Sequence, residues 1–145
     1  MQQRMNMQQE LPDLYGKMLE LETAIAQTGL DKTIAELVKI RASQLNGCAF
    51  CLNMHTQDAR RLGETEQRIH ILPAWREAPF FSGEERAALA LTEAVTRLEA
   101  HGVPDEIYEE SIIRFGKSGT AALIMALVAI NGWNRIAIAT RLMPV

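Results

Sequence analysis

Two cysteines and a histidine carry the clearest chemical signal in this chain. Cys48, Cys51 and His55 are separated by three and four residues, a spacing that places side chains on one face of an α-helix. If the helix begins near Cys48, its free N–H groups and partial positive charge favour a thiolate over a thiol. The pattern therefore predicts reactive thiols, with His55 close enough to Cys51 to take its proton directly or through a water.

A carboxylate that could orient His55 is predicted at Glu36. Glu36 and His55 lie at nearly equal distances on either side of Asn46-Gly47, so an antiparallel pair of helices joined there would bring them face to face. A carboxylate, an imidazole and a thiol in series form an activated nucleophile. Cys48 then supplies the second thiol, which can convert an oxidised Cys51 into a disulfide.

Other interpretations of the same residues remain open at this point. Cys48, Cys51, His55 and Glu36 could hold zinc, although structural zinc sites usually recruit a second pair of cysteines or histidines. The cysteines could also be unreactive core residues. A thioredoxin fold is disfavoured, because its CxxC motif follows a strand in a βαβ unit, and the sequence shows no alternating strand pattern.

Helical periodicity dominates the whole chain, so an all-α single domain over residues 1–145 is predicted. The first ten residues are polar and are expected to be disordered. Capping residues, glycines and prolines mark the element ends. The predicted helices cover about 12–29, 31–46, 48–62, 65–72, 82–101, 104–115 and 118–141.

Composition narrows the partners and the location that can be expected. The formal net charge is −3, and without a basic face neither nucleic acid nor a membrane surface is an expected partner. No apolar stretch near the N-terminus resembles a secretion signal, so a cytoplasmic location is predicted. The apolar run Ala121–Ile130 is shorter than the roughly 20 residues that span a bilayer. It is apolar on nearly every face, which favours an oligomer; a central helix wrapped by the others is the alternative.

With the spacing from Glu36 through His55 in place, the segment closely resembles the alkylhydroperoxidase D (AhpD) and carboxymuconolactone decarboxylase family. Leu37–Gly47 is similar to the family's approach to its CxxC pair, and Asn131–Arg135 is similar to its last-helix signature. The resemblance covers roughly Ile34–Arg141, within a motif-bearing core of about residues 31–141.

The resemblance implies an all-α AhpD-like bundle that forms homo-oligomers, commonly trimers or hexamers. It implies a peroxidase acting on organic hydroperoxides, with Cys51 as the peroxidatic cysteine, Cys48 as the resolving cysteine, and His55 and Glu36 as the proton relay. Electrons would come from an external thiol, such as a lipoylated protein, and neither a metal nor a bound organic cofactor is implied.

One position departs from the family pattern. The type enzyme carries a second histidine immediately before its peroxidatic cysteine, where this chain has Phe50, and a phenyl ring cannot relay a proton. Weaker activation of Cys48 or a different reductant is the expected consequence. Two alternatives therefore accompany the peroxidase: a non-catalytic redox sensor that uses the same disulfide, and a decarboxylase-like lyase in which His55 and Glu36 do the acid-base work.

Overall fold

A computed structural model describes residues 2–144, which form seven α-helices and one short 3₁₀ helix. Within these residues no strand forms beyond an isolated bridge between Glu99 and Gly102. The predicted all-α class is confirmed. The helices are α1 Met7–Glu10, α2 Pro12–Ala26, α3 Lys32–Asn46, α4 Ala49–Arg61, α5 Glu66–Ile71, α6 Gly83–Thr96 and α7 Asp105–Thr140, with the 3₁₀ helix Leu72–Ala74 between α5 and α6.

The α3–α4 hairpin positions the cysteine motif. The Asp31 side chain caps α3 by accepting a hydrogen bond from the N–H of Ile34, at 3.0 Å. At the other end Gly47 adopts a left-handed conformation (φ 71°), which costs glycine nothing and other residues much more. The N–H of Cys48 then donates to the carbonyl of Ser43 at 3.0 Å. This turn reverses the chain and makes Cys48 the N-cap of α4.

The long helix α7 forms the centre of the bundle. It packs against α2, α3 and α6, and Leu123, Leu127 and Ile130 are fully buried on it. Its backbone breaks at Gly116 (φ 67°, ψ 177°), where the predicted helices 104–115 and 118–141 meet, so their separation is confirmed.

By length and mean hydropathy (1.5 over 18 residues), α7 is also the one helix among residues 2–144 that could cross a bilayer. Neighbouring helices bury 44% of that 18-residue window. Met125 and Val128 on the opposite face stay 41% and 51% exposed, and the predicted oligomer remains a prediction.

Two predictions about local structure are wrong: one helix end and the disorder of the first ten residues. The helix expected to reach His101 ends at Thr96, because the chain turns at Arg97 (φ −115°, ψ 74°) and folds back through the bridge between Glu99 and Gly102. Continued helical spacing would place Leu98 on the same face as Leu91 and Val95, but after this turn its side chain is 68% exposed. The first ten residues were expected to be disordered, yet they contain α1.

A carboxylate on α6 ties three parts of the fold together. Glu93 accepts hydrogen bonds from Nε of Arg41 (2.8 Å), from Nε1 of Trp75 (2.9 Å) and from Arg76. Burial raises the pKa of Glu93, but these hydrogen bonds outweigh it and hold the pKa below the ordinary value of 4.5. The network fastens α3 and the residues around the 3₁₀ helix to α6.

We expect Glu93→Gln to lower the free energy of unfolding by about 2–3 kcal/mol, because hydrogen bonds to a charged group are lost and Arg41 keeps an unpaired charge. Since the folded-state pKa of Glu93 is depressed, the stabilisation is complete above pH 4.5 and disappears as the pH falls through the folded-state value. Urea denaturation at pH 7 and at pH 3 measures both effects. Glu77→Gln, at an exposed position, is the matched control; equal stability of the two variants at pH 7 would contradict this role.

Candidate active site

Glu36 on α3 and His55 on α4 meet across the hairpin. Oε2 of Glu36 lies 2.8 Å from Nδ1 of His55, and the ring N–H donates because a carboxylate can only accept. His55 is buried and Glu36 is nearly so. The proximity expected from the antiparallel hairpin is therefore present. Nε2 is left as the ring nitrogen that can exchange a proton with a thiol or a substrate.

Both cysteines lie in the hydrophobic core. Cys48 is 1% and Cys51 is 2% exposed, in the same apolar cluster as Val38, Leu91 and Leu127. The backbone N–H of Cys51 donates to Sγ of Cys48 at 3.4 Å, as the N-cap position of Cys48 requires. The free N–H groups at this helix end therefore act first on Cys48.

The two thiols have very different acidities. A hydrogen bond from the Cys51 thiol lowers the pKa of Cys48 from 9.0 to about 7, against the opposing effect of burial. The same hydrogen bond, together with burial, raises the pKa of Cys51. The sequence placed the activating base beside Cys51, whereas in the structure the hydrogen bond between the two thiols makes Cys48 the more acidic cysteine. The peroxidatic role of Cys51 remains a prediction.

Asn134 on α7 interacts with both cysteines. Its side chain is fully buried; Nδ2 donates to Oγ of Ser43 at 3.0 Å, and Oδ1 accepts from Nδ2 of Asn46 at 2.8 Å. Hydrogen bonding from Asn134 also lowers the pKa of both cysteines. An amide held by two bonds is a fixed dipole, which stabilises a thiolate without having to reorient.

A pH titration of the reduced protein should show one thiolate forming with a midpoint near pH 7, because the pKa of Cys48 is about 7. The second thiolate should not appear in the neutral range, since the pKa of Cys51 is raised. Ultraviolet absorbance of the thiolate measures both steps. Cys51→Ala removes the thiol donor and should move the midpoint upward; a parent midpoint that stays at 9 would contradict the arrangement.

A cavity of about 460 Å³ opens onto the site. Cys51 and His55 line it together with Phe50 and Met54, while Cys48 does not. Residues 3–8 close one side, and Arg4 anchors them to the end of α7: its N–H donates to the carbonyl of Thr140 at 2.8 Å and its guanidinium to that of Ala139 at 3.1 Å. A bound molecule would therefore meet Cys51 before Cys48.

Glu36 also belongs to a chain of ion pairs with Lys39 and Glu22. Nζ of Lys39 lies 3.7 Å from Oε1 of Glu36 and 3.4 Å from Oε2 of Glu22. Among residues 2–144, the side chains whose ligand atoms could converge on a metal are Glu36, His55 and Asp58. Neither cysteine belongs to this group, so the geometry does not favour the zinc set considered from the sequence.

Several of these residues were not predicted. Glu22 accepts a hydrogen bond from Nε1 of Trp133 at 3.1 Å and lines the cavity, but nothing in its spacing links it to the cysteine motif. Trp133 and Asn134 belong to the last-helix signature, which marked them without giving them a role. The roof formed by residues 3–8 had no sequence signal.

Comparison with known proteins supplies the family. The model of the carboxymuconolactone decarboxylase family matches residues 12–94. The uncharacterized protein YdfG of Bacillus subtilis is 45% identical over 139 residues, covering 96% of this chain and 95% of that protein. The uncharacterized protein YnjA of Escherichia coli is 34% identical over 85 residues, covering 50% of this chain and 46% of that protein.

Solved structures agree on the fold. A protein of unknown function from Agrobacterium tumefaciens, named as a candidate antioxidant defence protein AhpD, superposes with a TM-score of 0.95 at 35% identity, over 99% of both chains. The debrominase Bmp8 has a TM-score of 0.83 at 19% identity, over 94% of this chain and 73% of that one, a likeness of fold alone. Because the family model spans more than half of the sequence, this protein belongs to the carboxymuconolactone decarboxylase family and has the AhpD-like all-α fold.

Proposed function

We propose that the protein is a thiol-dependent peroxidase that reduces organic hydroperoxides with its cysteine pair. One observation carries the proposal: Cys51, in contact with the acidic thiol Cys48, lines a cavity together with His55, which is itself bonded to Glu36. A nucleophile, a second thiol and a positioned proton carrier are the three groups that this reaction needs.

The first step oxidises Cys51. Its proton passes to the Cys48 thiolate along the existing hydrogen bond, and the Cys51 thiolate attacks the terminal oxygen of the hydroperoxide. The O–O bond breaks, Cys51 becomes a sulfenic acid, and the leaving alkoxide becomes an alcohol by taking a proton that Nε2 of His55 relays from water.

The second step forms the disulfide. His55 takes the proton from Cys48, and the Cys48 thiolate attacks the sulfur of the sulfenic acid; hydroxide leaves and takes the proton back as water. An external dithiol then reduces the disulfide and is itself oxidised to a disulfide. We propose a lipoylated protein or another thiol as this donor, in a cytoplasmic homo-oligomer that needs no metal or bound organic cofactor.

The direct test is turnover of cumene hydroperoxide with dihydrolipoamide as reductant. The proposal expects catalytic consumption of peroxide and formation of cumyl alcohol in equal amount. A disulfide that forms once without turnover would favour the redox sensor. Decarboxylation of a muconolactone carboxylate that survives loss of Cys51 would favour the lyase.

Because the fold is shared with a debrominase, 2,3,4-tribromopyrrole belongs in the same assay. Bromide release without peroxide consumption would replace the peroxidase proposal.

A further inference from the structure

The cavity over Cys51 has a strongly uneven chemical character. Its wall is formed mainly by apolar and aromatic side chains, among them Tyr15, Phe50, Trp133 and Ile136. Tyr15 and Trp133 make an edge-to-face contact with ring centroids 5.2 Å apart, which fixes this part of the wall. At about 460 Å³ the cavity is within the size range of sites that enclose small organic ligands.

Apart from Cys51 and His55, the described wall carries one ionisable side chain that is charged at neutral pH. This side chain is the carboxylate of Glu22. No lysine or arginine side chain lines the cavity among residues 2–144. The nearest cation in the network, Lys39, lies on the far side of Glu22 and lines a separate, smaller cavity. A ligand above Cys51 therefore meets a carboxylate, which is ion-paired to Lys39, and no cationic side chain on the described wall.

The lack of a cationic side chain on the wall is important because residues 3–8 partly enclose the cavity. Residues 3–8 contribute five of the lining residues, and the Arg4 anchor holds them across the cavity. A ligand beneath this roof loses much of its hydration. The wall offers the neutral side-chain amides of Gln3, Asn6 and Gln8 as hydrogen-bond donors but no cation. Burial of a carboxylate's charge beside Glu22 is therefore disfavoured, whereas an apolar body gains by the same burial. Residues 3–8, which form this roof, lie outside the region that the family model matches, residues 12–94.

We infer that, given the proposed peroxidase function, the substrate class of this site is uncharged, apolar organic hydroperoxides, and that hydroperoxides carrying a carboxylate are rejected. Glu22 and the absence of a cationic side chain on the described wall determine this selectivity. Fatty-acid hydroperoxides would then be accepted as esters and refused as free acids.

The test uses two hydroperoxides that differ in charge but little in shape: the methyl ester of para-carboxycumene hydroperoxide and the free acid. The ester should have a kcat/KM at least about tenfold higher than the acid, because the acid must bury its charge unpaired. Leu19→Arg places a cation at the cavity rim, at a position 46% exposed, and should raise the kcat/KM of the acid relative to the ester several-fold. Leu14→Arg, 63% exposed on the same helix and not on the cavity wall, should leave the parent ratio unchanged.

Equal turnover of acid and ester by the parent protein would overturn the inference, as would an identical change of the ratio in the two arginine variants. If no hydroperoxide is turned over, the proposed function fails, but selectivity is still measurable by binding. The corresponding alcohols should quench the fluorescence of Trp133, with the ester binding more tightly than the acid and Trp133→Phe removing the signal. Equal binding of acid and ester alcohols would then overturn the inference independently.

Discussion

Replacing Cys51 with serine should lower kcat/KM for cumene hydroperoxide by about 10³-fold or more, because Cys51 is the cysteine that lines the cavity and its sulfur is the proposed attacking atom. Serine keeps the size and the hydrogen-bonding capacity of the side chain, so the fold and the cavity should persist. Steady-state peroxide consumption with dihydrolipoamide measures the loss, and circular dichroism checks the helices.

Cys48→Ser is the informative companion to that variant. Cys51 can still be oxidised once, but without a resolving thiol the sulfenic acid has no intramolecular partner. We expect a single turnover of peroxide followed by arrest. If Cys51→Ser keeps the single turnover and Cys48→Ser loses it, the two cysteines have exchanged roles, and the lower pKa of Cys48 has decided which one attacks.

His55→Gln should lower kcat/KM by about 10²- to 10⁴-fold, since the variant can neither take a proton from a thiol nor give one to the leaving alkoxide. Glu36→Gln keeps a hydrogen-bond acceptor opposite Nδ1 of His55 but removes the negative charge. We expect this variant to lower kcat/KM by about 10- to 100-fold. Steady-state kinetics measure both losses, and circular dichroism of the two variants separates a lost proton relay from a fold defect.

The matched control is His70→Gln. His70 is 77% exposed at its side chain and lies 3.8 Å from Glu66 on the surface, so the same chemical change there should leave peroxidase activity intact. Full activity of His55→Gln would contradict the relay. Equal losses in the two histidine variants would point to a general effect on folding instead.

The hairpin that builds the site could be predicted because its signals are local. Asp31 is an N-cap, Gly47 is a residue that tolerates a left-handed turn, and the helical spacing after Cys48 fixes a face. Together these place Glu36 opposite His55 without any knowledge of the rest of the chain. The end of α6 was predicted wrongly because the apolar spacing continues to Leu98, whereas the chain already leaves the helix at Arg97 and turns back between Glu99 and Gly102.

The distribution of charge within the site could not be predicted from spacing. Which cysteine is the more acidic depends first on which thiol donates to the other, and then on which sulfur receives the N–H of Cys51. The pKa of both also depends on where α7 places Asn134, some eighty residues later in the sequence. The cavity roof depends on contacts of residues 3–8 with the end of α7, and such long-range packing leaves no periodic pattern.

The most direct measurement is chemical trapping of the oxidised cysteine. Cys48→Ser would be treated with one equivalent of cumene hydroperoxide in the presence of dimedone, which captures sulfenic acids, and the labelled residue would be located by peptide mass spectrometry. The adduct is expected on Cys51, and the parent protein is expected to yield the Cys48–Cys51 disulfide without adduct. An unlabelled Cys51, or a Cys51→Ser variant labelled at Cys48 instead, would contradict the assignment of the attacking sulfur.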